Sequence, residues 1–448
     1  MQFQFYKKFC VLILLFSVSP IFAQPLKDVD LQQLEAIVSN KKYVNIGEDS
    51  HFMVEVHKSV VQMFKHLVEK KKFRVFVFEV AWGIEDKFNE DFMKSERTEV
   101  NGDEQFFLNA FSSKPIVKML IWIREWNRKN PNDKIQIAGY QPEQPVTDFR
   151  NLFEFAGKSD KFAVADLKKK AEVCRAGTGE FKTDIDFIIS TSQRRRKGQM
   201  TYTVEERTSC NQAIDSIENF IGQNKKELIK KNSKNAFLES QLHIKSLRTY
   251  LNTLTYSLDY SILNKNMTRE EQGQLSSKVY GEGDKARWEI FQVLQQTRYR
   301  NKKIFFWMHN WHAMKFAPEV GGFGRDEKED TPVPPKTISI GTRMAEKYGK
   351  DLIVIGNIVP KAVCKNPICT PPPVRADSLE TPFQKIIGNN PMLVDTRKIT
   401  DANRNLPINT AGSLYADINQ GHFTNVILSR QFDAILYLPE TTATFEDK

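Results

Sequence analysis

The sequence predicts an α/β fold: a mostly parallel β-sheet flanked by helices, with a large helical insertion. Short, near-continuous apolar runs alternate with amphipathic stretches, which is typical of strands buried on both faces of a parallel sheet. A charged stretch between residues 150 and 300 contains few strand signals and predicts helices. The chain of 448 residues, 40% of them hydrophobic, is long enough to bury a sizeable core.

The predicted strands are six runs rich in β-branched, aromatic and aliphatic residues. In chain order they are Tyr43–Gly47, Arg74–Val80, Lys134–Tyr140, Lys303–Met308, Asp351–Gly356 and Ala434–Leu438. Clustered prolines and glycines predict long loops at residues 317–338 and 360–382. We therefore expect one α/β domain in two parts, residues 24–150 and 301–448, separated by a helical insertion at residues 151–300.

The first 23 residues have the pattern of a secretory signal peptide. Two lysines precede the apolar run 9–16, and the small residue Ala23 marks the expected cleavage position. The apolar run is too short for a comfortable membrane span, and no later run is long enough to cross a bilayer. We expect a secreted or periplasmic protein without an integral membrane segment in its mature form; an uncleaved amino-terminal anchor is the alternative.

The formal net charge of +10 is the unusual feature of the composition, and it suits a protein that binds nucleic acid or an anionic surface. However, the basic runs at 70–72, 168–170 and 194–197 lack interleaved aromatic residues and predict solvated helix faces. The chain has no P-loop, no dinucleotide-binding glycine pattern and no H-E-x-x-H motif. No nucleic-acid partner and no cofactor are therefore predicted.

The cysteines suggest disulfides. Removal of the signal segment leaves four of the five, an even number in an oxidising compartment. Of the three possible pairings we favour Cys174–Cys210 with Cys364–Cys369, and four separate thiols are the alternative. A zinc site is disfavoured because neither pair has a C-x-x-C spacing.

Chemically capable side chains follow four of the predicted strands. They are Glu48 and His51 after the first strand, Glu79 at the end of the second, Tyr140 at the end of the third, and His309 and His312 after the fourth. Because ligands of open parallel sheets bind beyond the carboxyl ends of the strands, we expect these groups to converge.

His51 is the strongest candidate for a general base, because an imidazole can take a proton from water while a nearby carboxylate, Glu48, fixes its tautomer. In the alternative interpretation the segment only starts a helix, with Asp49 or Ser50 as the N-cap. Glu79 is costly to bury unless it is paired, so it belongs either to the site or to a structural salt bridge.

His309 and His312 are spaced to project to one side of a helical turn. Together with the glutamates they could bind a metal, or they could donate hydrogen bonds to a developing oxyanion. In the alternative interpretation one of them is solvent-exposed. His57 and His66, on the helix after His51, are predicted to be surface or packing residues.

Several segments together resemble the erythromycin esterase family. They are Ile46–Phe52, Phe73–Glu79, Phe306–His312, Gly341–Met344 and Leu352–Gly356, and the likeness covers about residues 40–445. The resemblance implies a parallel-sheet α/β core with a helical insertion. It further implies that His51 is the base that activates water against an ester or lactone carbonyl, and that Glu48 and Glu79 line the cleft. His309 and His312 match the second histidine pair of the family, and Asp284 and Arg287 match an Arg-Asp segment.

The chain departs from the family pattern at three places. Gly283 stands where an arginine is common, and Val60 stands where the helix after His51 usually carries an arginine. Lys58 could supply that charge but not the bidentate fork of a guanidinium. Gln141 follows Tyr140 where the family often has an aspartate after the aromatic residue.

The predicted function is that of a secreted, metal-independent hydrolase of a small-molecule carboxylic ester or lactone. His51, Glu48, Glu79, His309 and His312 are the predicted catalytic residues. Lys58, Tyr140, Asp284 and Arg287 are the predicted supporting or substrate-binding residues. The alternatives are an exported metal- or haem-binding protein that uses the same Glu/His cluster without esterase activity, and an anion-binding surface protein.

Overall fold

The computed structural model describes most of the chain between residues 28 and 442. The described residues are 28–49, 51, 53–83, 86, 91–100, 108, 111, 113–255, 269–316, 338–363, 380–398, 405–409 and 423–442. The predicted signal segment, Ser50, Cys364 and Cys369 lie outside them, as do residues 317–337 and 364–379 of the predicted loops.

The centre of the fold is a seven-stranded sheet in the order β3-β2-β4-β1-β5-β10-β7. The strands of the chain are β1 Tyr43–Glu48, β2 Phe73–Phe78, β3 Gln136–Ala138, β4 Lys303–His309, β5 Leu352–Ile358, β6 Ala362–Val363, β7 Met392–Asp395, β8 Asn405–Asn409, β9 Phe423–Ile427, β10 Ala434–Tyr437 and β11 Thr441–Thr442. Every neighbouring pair in the large sheet is parallel except β10 and β7. β6 pairs with β11, and β8 pairs with β9.

All six predicted strands are confirmed, and they occupy six consecutive places in the sheet. The seventh, β7, was not predicted; it is a short antiparallel edge strand. The loop prediction for residues 360–382 was wrong at both ends, because β6 lies at Ala362–Val363 and a helix begins at Glu380.

The α-helices flank this sheet or follow one another between β3 and β4. They are α1 Asp28–Val38, α2 Val54–Lys71, α3 Lys114–Lys129, α4 Pro145–Gly157, α5 Lys161–Ala171, α6 Asp184–Arg196, α7 Val204–Gln223, α8 Lys225–Lys231, α9 Lys234–Thr249, α10 Arg269–Thr297, α11 Asn310–Ala313, α12 Ile340–Tyr348, α13 Glu380–Ile387 and α14 Leu428–Gln431. None of the described helices is long and apolar enough to cross a membrane.

The sheet is buried on both faces, as its apolar strands predict. Alternate residues of each strand point to opposite faces, so Phe305 and Trp307 of β4 join one core cluster while Phe306 and Met308 join the other. The first cluster packs against α1, α2 and α3. The second packs against α10, where the ring centroids of Phe291 and Phe306 lie 4.7 Å apart.

Helices α4 to α9 form a third apolar cluster of their own. A disulfide joins Cys174, just after α5, to Cys210 in α7, which confirms the predicted pairing. The second predicted pair lies outside the described residues. In its described part the chain between β3 and β4 carries helices α4 to α10 joined by turns and loops, while the division into domains at residues 150 and 300 stays a prediction.

Candidate active site

Strand order and register bring the strand-end side chains together. β4 lies between β2 and β1, and its register pairs Glu48 with His309 and Phe78 with Trp307. By this register Glu79, the residue after Phe78, is level with Met308, and its Oε2 reaches the backbone N–H of the next residue, His309. The carboxyl ends of three adjacent strands thus carry Glu79, His309 and Glu48 in one row.

Gly47 permits the short helix α11 to sit directly on the end of β1. A Cβ atom at Gly47 would lie 2.2 Å from Oδ1 of Asn310, so a larger residue would push α11 away. Asn310 also exchanges hydrogen bonds with Asn357 of β5, at 2.8 and 3.1 Å. This close packing fixes His309 and His312 on either side of Asn310.

His51 is held by the buried carboxylate of Glu48. Nδ1 of His51 is hydrogen-bonded to Oε1 of Glu48, and Nε2 lies 3.9 Å from Oε2 of Glu79. Burial alone would lower the pKa of His51, but its attraction to Glu48 and Glu79 raises that pKa to about 9. Burial also raises the pKa of Glu48, in spite of the opposing attraction of His51. The His51 side chain is 17% exposed and that of Glu48 is fully buried, so within this pair it is the imidazole that a water molecule can approach.

Glu79 is a buried carboxylate with several partners. Oε2 accepts a hydrogen bond from the backbone N–H of His309 at 2.9 Å, and Oε1 accepts one from Nε2 of Gln141 at 3.3 Å. Nε2 of His312 also lies 3.3 Å from Oε1. Burial opposes ionisation, but His312, His51 and Arg287 together lower the pKa of Glu79. Glu79 therefore supplies a negative charge beside Nε2 of His51.

A chain of charges continues from Glu79 through His312 to Asp284 and Arg287. Nδ1 of His312 lies 3.0 Å from Asp284, and Nη1 of Arg287 donates to Oδ1 of Asp284 at 2.6 Å. Against the effect of burial, His312 and Arg287 lower the pKa of Asp284 to about 2. The pKa of Arg287 is raised in turn, because the attraction of Asp284 and Glu79 outweighs burial. Each ring nitrogen of His312 thus faces a carboxylate.

His309 is fixed in its neutral form. Its Nδ1 accepts a hydrogen bond from the backbone N–H of Trp311 at 3.2 Å, and the backbone of Asp49 hydrogen-bonds to the ring. Burial, together with the nearby His51 and His312, lowers its pKa to about 3. The ring lies edge-on to His51, with 5.7 Å between centroids. His309 therefore shapes the wall beside His51 without adding charge.

Tyr140 and Gln141 line the same region from the end of β3. The ring of Tyr140 is fully buried, and its hydroxyl has no hydrogen-bond partner among the described residues. Burial and the neighbouring Glu79 raise its pKa well above the usual value. Glu143, two residues after Gln141, has its pKa raised by burial, while the charge of Arg287 opposes the rise. Gln141 thus places an amide donor against Glu79 where a carboxylate would repel it.

Of the predicted site residues, Lys58 is placed differently from the others. It lies on α2 and pairs with Oε1 of Glu55 at 3.6 Å, and Oε2 of Glu55 accepts a hydrogen bond from Thr441 at 2.8 Å. The contact between Glu55 and Thr441 links α2 to β11. A substrate contact of Lys58 stays a prediction, and Val60 is fully buried in the core.

Two residues near the site were not predicted. Glu143 lies in the loop after β3, and no sequence pattern marked it. His57, predicted to be a surface or packing residue, is fully buried; its Nε2 hydrogen-bonds to the backbone oxygen of His51 at 2.9 Å and its Nδ1 to Oγ of Ser113 at 2.7 Å. Burial lowers the pKa of His57 to about 3, so it is a neutral anchor. Its place on the apolar stripe of α2, one turn after Met53, is the signal that could have found it.

The donor set of this cluster does not fit a metal ion. Within the described ranges no group of three or more His, Cys, Asp or Glu side chains is arranged to hold one. The reason is visible in the contacts, because the ring nitrogens of His309 and His312 are already engaged by backbone or carboxylate groups. A metal site would also need ligand atoms that converge on one point.

Comparison with known proteins gives one family and several related folds. A model of the erythromycin esterase family matches residues 68–441. YbfO of Bacillus subtilis (strain 168), whose name marks its hydrolase assignment as provisional, is 23% identical over 300 residues. That alignment covers 66% of this chain and 61% of YbfO, so the chain spans less than two thirds of this relative.

Solved structures extend the comparison over nearly the whole fold. A Bacillus cereus protein of known crystal structure superposes with a TM-score of 0.68 at 18% identity. A mutant of the erythromycin esterase EreC in its open conformation gives 0.67 at 17% identity, and a succinoglycan biosynthesis protein gives 0.65 at 16%. Each comparison covers 94% of this chain and 95% of the other. At such identities the likeness shows the fold alone.

Proposed function

The chain belongs to the erythromycin esterase family, and on that premise we propose that it is a hydrolase of carboxylic esters or lactones. His51 is the proposed base that activates the attacking water. The observation that supports this assignment is the orientation of the ring. Nδ1 is hydrogen-bonded to the buried Glu48, so Nε2 is left to face Glu79.

The proposed reaction begins with neutral His51, whose Nδ1–H donates to Glu48. A water molecule between Nε2 of His51 and Oε2 of Glu79, which are 3.9 Å apart, can donate one hydrogen bond to each. As its oxygen bonds to the substrate carbonyl carbon, one proton passes to Nε2. The carbonyl π electrons move to the carbonyl oxygen, and Glu48 stabilises the new imidazolium.

Collapse of the tetrahedral intermediate breaks the bond between the carbonyl carbon and the leaving-group oxygen. The departing alkoxide takes the proton from Nε2 of His51, which gives a carboxylic acid and an alcohol and restores the base. The hydroxyl of Tyr140 is the proposed donor to the developing oxyanion, because its raised pKa keeps it protonated and no described residue accepts from it.

His312, Asp284 and Arg287 are proposed to be positioning residues. They hold Glu79 ionised beside the water and spread its charge over a buried network. His57 has the same role for His51, since it anchors the backbone oxygen of that residue.

We also propose that the protein acts outside the cytoplasm. Two features support this: the secretory pattern of residues 1–23, and the disulfide Cys174–Cys210, which is typical of an oxidising compartment. The test is to express the protein with and without residues 1–23 in the native host and to locate each form by cell fractionation. Recovery of both forms in the cytoplasm would overturn it.

The test of the proposed hydrolysis is a panel of aryl esters, alkyl esters and lactones assayed at pH 9 with the His51→Gln variant. We expect kcat to fall by about a thousandfold, because general base catalysis contributes on the order of 10²–10⁴-fold. The control is His66→Gln, which removes another histidine bonded to a glutamate, Glu35, at 2.8 Å. Equal hydrolysis by the His51 and His66 variants would rule out the proposed base.

A further inference from the structure

The amino-terminal edge of the sheet, opposite the candidate active site, carries lysines at the start of five neighbouring strands. In the side-by-side order β3, β2, β4, β1 and β5 they are Lys134, Lys71 and Lys72, Lys302 and Lys303, Lys41 and Lys42, and Lys350. Because these strands are parallel, the lysines lie at one edge. Four strand spacings of about 4.8 Å give the row a length of about 19 Å.

Backbone geometry sets the lysines of β2 and β4 side by side. Phe73 pairs with Lys303, so Lys72 precedes β2 at the level where Lys302 precedes β4. Lys72 and Asn301 are both left-handed, with φ of 61° and 64°, and each makes the turn that leads into its strand. The neighbouring pair of Val75 with Gln136 puts Lys134 at the same edge of β3.

A concavity of about 330 Å³ lies among these turns. It is lined by Lys72, Lys134, Lys302 and Lys303 together with Arg74 and Asp133. A volume of this size is at the lower end of the range for small-ligand pockets, which is roughly 300–1,000 Å³. The concavity therefore has a basic wall and is large enough for a compact solute.

The concavity has an excess of positive charge. Asp133, the carboxylate that lines it, is held by Arg74 through two hydrogen bonds, with Nε to Oδ1 at 2.7 Å. Asp133 also attracts Lys72 and Lys302, so the lining carries five cations against this one carboxylate. Burial lowers the pKa values of Lys302 and Lys303. At Lys302 the carboxylate of Asp133 opposes this shift and Arg74 adds to it, while at Lys303 the neighbouring Lys71 adds to it.

Charges around the concavity leave this excess in place. Lys71 lies 3.7 Å from Glu35, which also binds His66, so that carboxylate is shared by two partners. Lys302 donates to the neutral Gln136, and Lys303 lies 5.7 Å from the ring centroid of Phe73. Neither contact supplies a negative charge.

We propose that this concavity binds a compact oxyanion with two or more negative charges, of the phosphate or phosphate-monoester class. Several ammonium groups that converge on one space bind such an anion as point charges, with charge-assisted hydrogen bonds to its oxygens. The site lies at the end of the strands opposite His51, so it is separate from the proposed hydrolysis. Of the basic run 70–72, which was predicted to be a solvated helix face, Lys72 lines the concavity.

Calorimetric titration with inorganic pyrophosphate at low salt tests the proposal. The test variant carries Lys72→Gln, Lys134→Gln and Lys302→Gln. The matched control carries Lys168→Gln, Lys169→Gln and Lys170→Gln, which remove the same charge from α5. We expect saturable binding to wild type and control, about tenfold weaker binding to the test variant, and a decline with added salt. The exposed single variant Lys134→Glu weakens binding in the same direction and provides the test if the triple variant does not fold.

No saturable binding to the wild type, or equal binding to the test and control variants, would overturn the proposal. Vesicles that contain phosphatidic acid distinguish the source of the phosphate. Sedimentation of the wild type but not the test variant with these vesicles supports a lipid headgroup. Pyrophosphate binding without sedimentation supports a soluble phosphate.

Discussion

Replacement of Glu48 by glutamine removes the charge on which the proposed base depends. Glu48 is fully buried and hydrogen-bonded to Nδ1 of His51, and glutamine keeps the shape of the side chain without the charge. In the wild type the attraction of Glu48 and Glu79 outweighs burial and raises the pKa of His51 from 6.5 to about 9. In Glu48→Gln burial is opposed only by Glu79, so we expect the pKa of His51 to fall to its ordinary value or below.

The magnitude follows from the size of this shift. The rise from 6.5 to about 9 corresponds to about 3 kcal/mol of stabilisation of the imidazolium. The same interaction stabilises the imidazolium that forms during attack by water, so its loss lowers the maximal rate by about a hundredfold. Because His51 must be neutral to act, activity rises as pH increases through its pKa.

The two effects oppose each other at neutral pH. With a pKa of about 9, only about one wild-type molecule in a hundred carries neutral His51 at pH 7, whereas most molecules of the variant do. We therefore expect kcat/KM of wild type and Glu48→Gln to be similar near pH 7 and to diverge about a hundredfold above pH 9.

The assay is kcat/KM for an aryl ester between pH 5 and 10.5, measured for the wild type, Glu48→Gln and a control. The control is Glu35→Gln, which removes a carboxylate bonded to His66. This control should change neither the pH range over which kcat/KM rises nor its maximal value at high pH. The reasoning is refuted if kcat/KM of Glu48→Gln rises over the same pH range as that of the wild type, or if it reaches the same maximal value.

Three further predictions concern Tyr140, the anchor of His51 and the disulfide. Tyr140→Phe removes a buried hydroxyl that has no hydrogen-bond partner among the described residues, so we expect kcat for ester hydrolysis to fall at least tenfold while the midpoint of thermal unfolding stays unchanged or rises. A lower midpoint with unchanged kcat would contradict the oxyanion role. His57→Gln should lower kcat about tenfold with little change in KM, because the contact with the His51 backbone is lost. Ser113→Ala, which removes the other partner of His57, should have the same effect in weaker form. A change in KM alone would argue against the role of His57 in positioning His51. Replacement of Cys174 and Cys210 by serine should lower the free energy of unfolding by about 4 kcal/mol for a separation of 36 residues, as measured by urea denaturation, and a change below about 1 kcal/mol would contradict this.

The sequence predicts the parts of the fold that depend on local pattern. Six apolar runs become six strands because each is long enough and apolar enough to be buried on both faces. β7 escaped prediction because Met392–Asp395 is buried at alternate residues only and begins with an exposed residue, unlike the continuously buried β10 with which it pairs antiparallel at the edge. The pairing of Cys174 with Cys210 was favoured from the export context and is present.

The arrangement of the site depends on contacts between distant parts of the chain, which local pattern does not reveal. The insertion of β4 between β2 and β1 brings Glu79 and Glu48 to opposite sides of His309, although more than 200 residues separate His309 from each glutamate. The resemblance to a family marked Asp284, but its contact with His312 appears only in the packed structure. His57, predicted to be a surface or packing residue, is a buried packing residue, and spacing alone does not distinguish these two alternatives.

The state of His51 is the central claim, and an NMR titration of histidine labelled with ¹⁵N measures it most directly. We predict that the His51 signals, assigned by their loss in His51→Gln, titrate with a pKa near 9 and show the proton on Nδ1 in the neutral form. The acid limb of kcat/KM should follow the same titration. A pKa at or below 6.5, or a neutral form with its proton on Nε2, would contradict the proposed base.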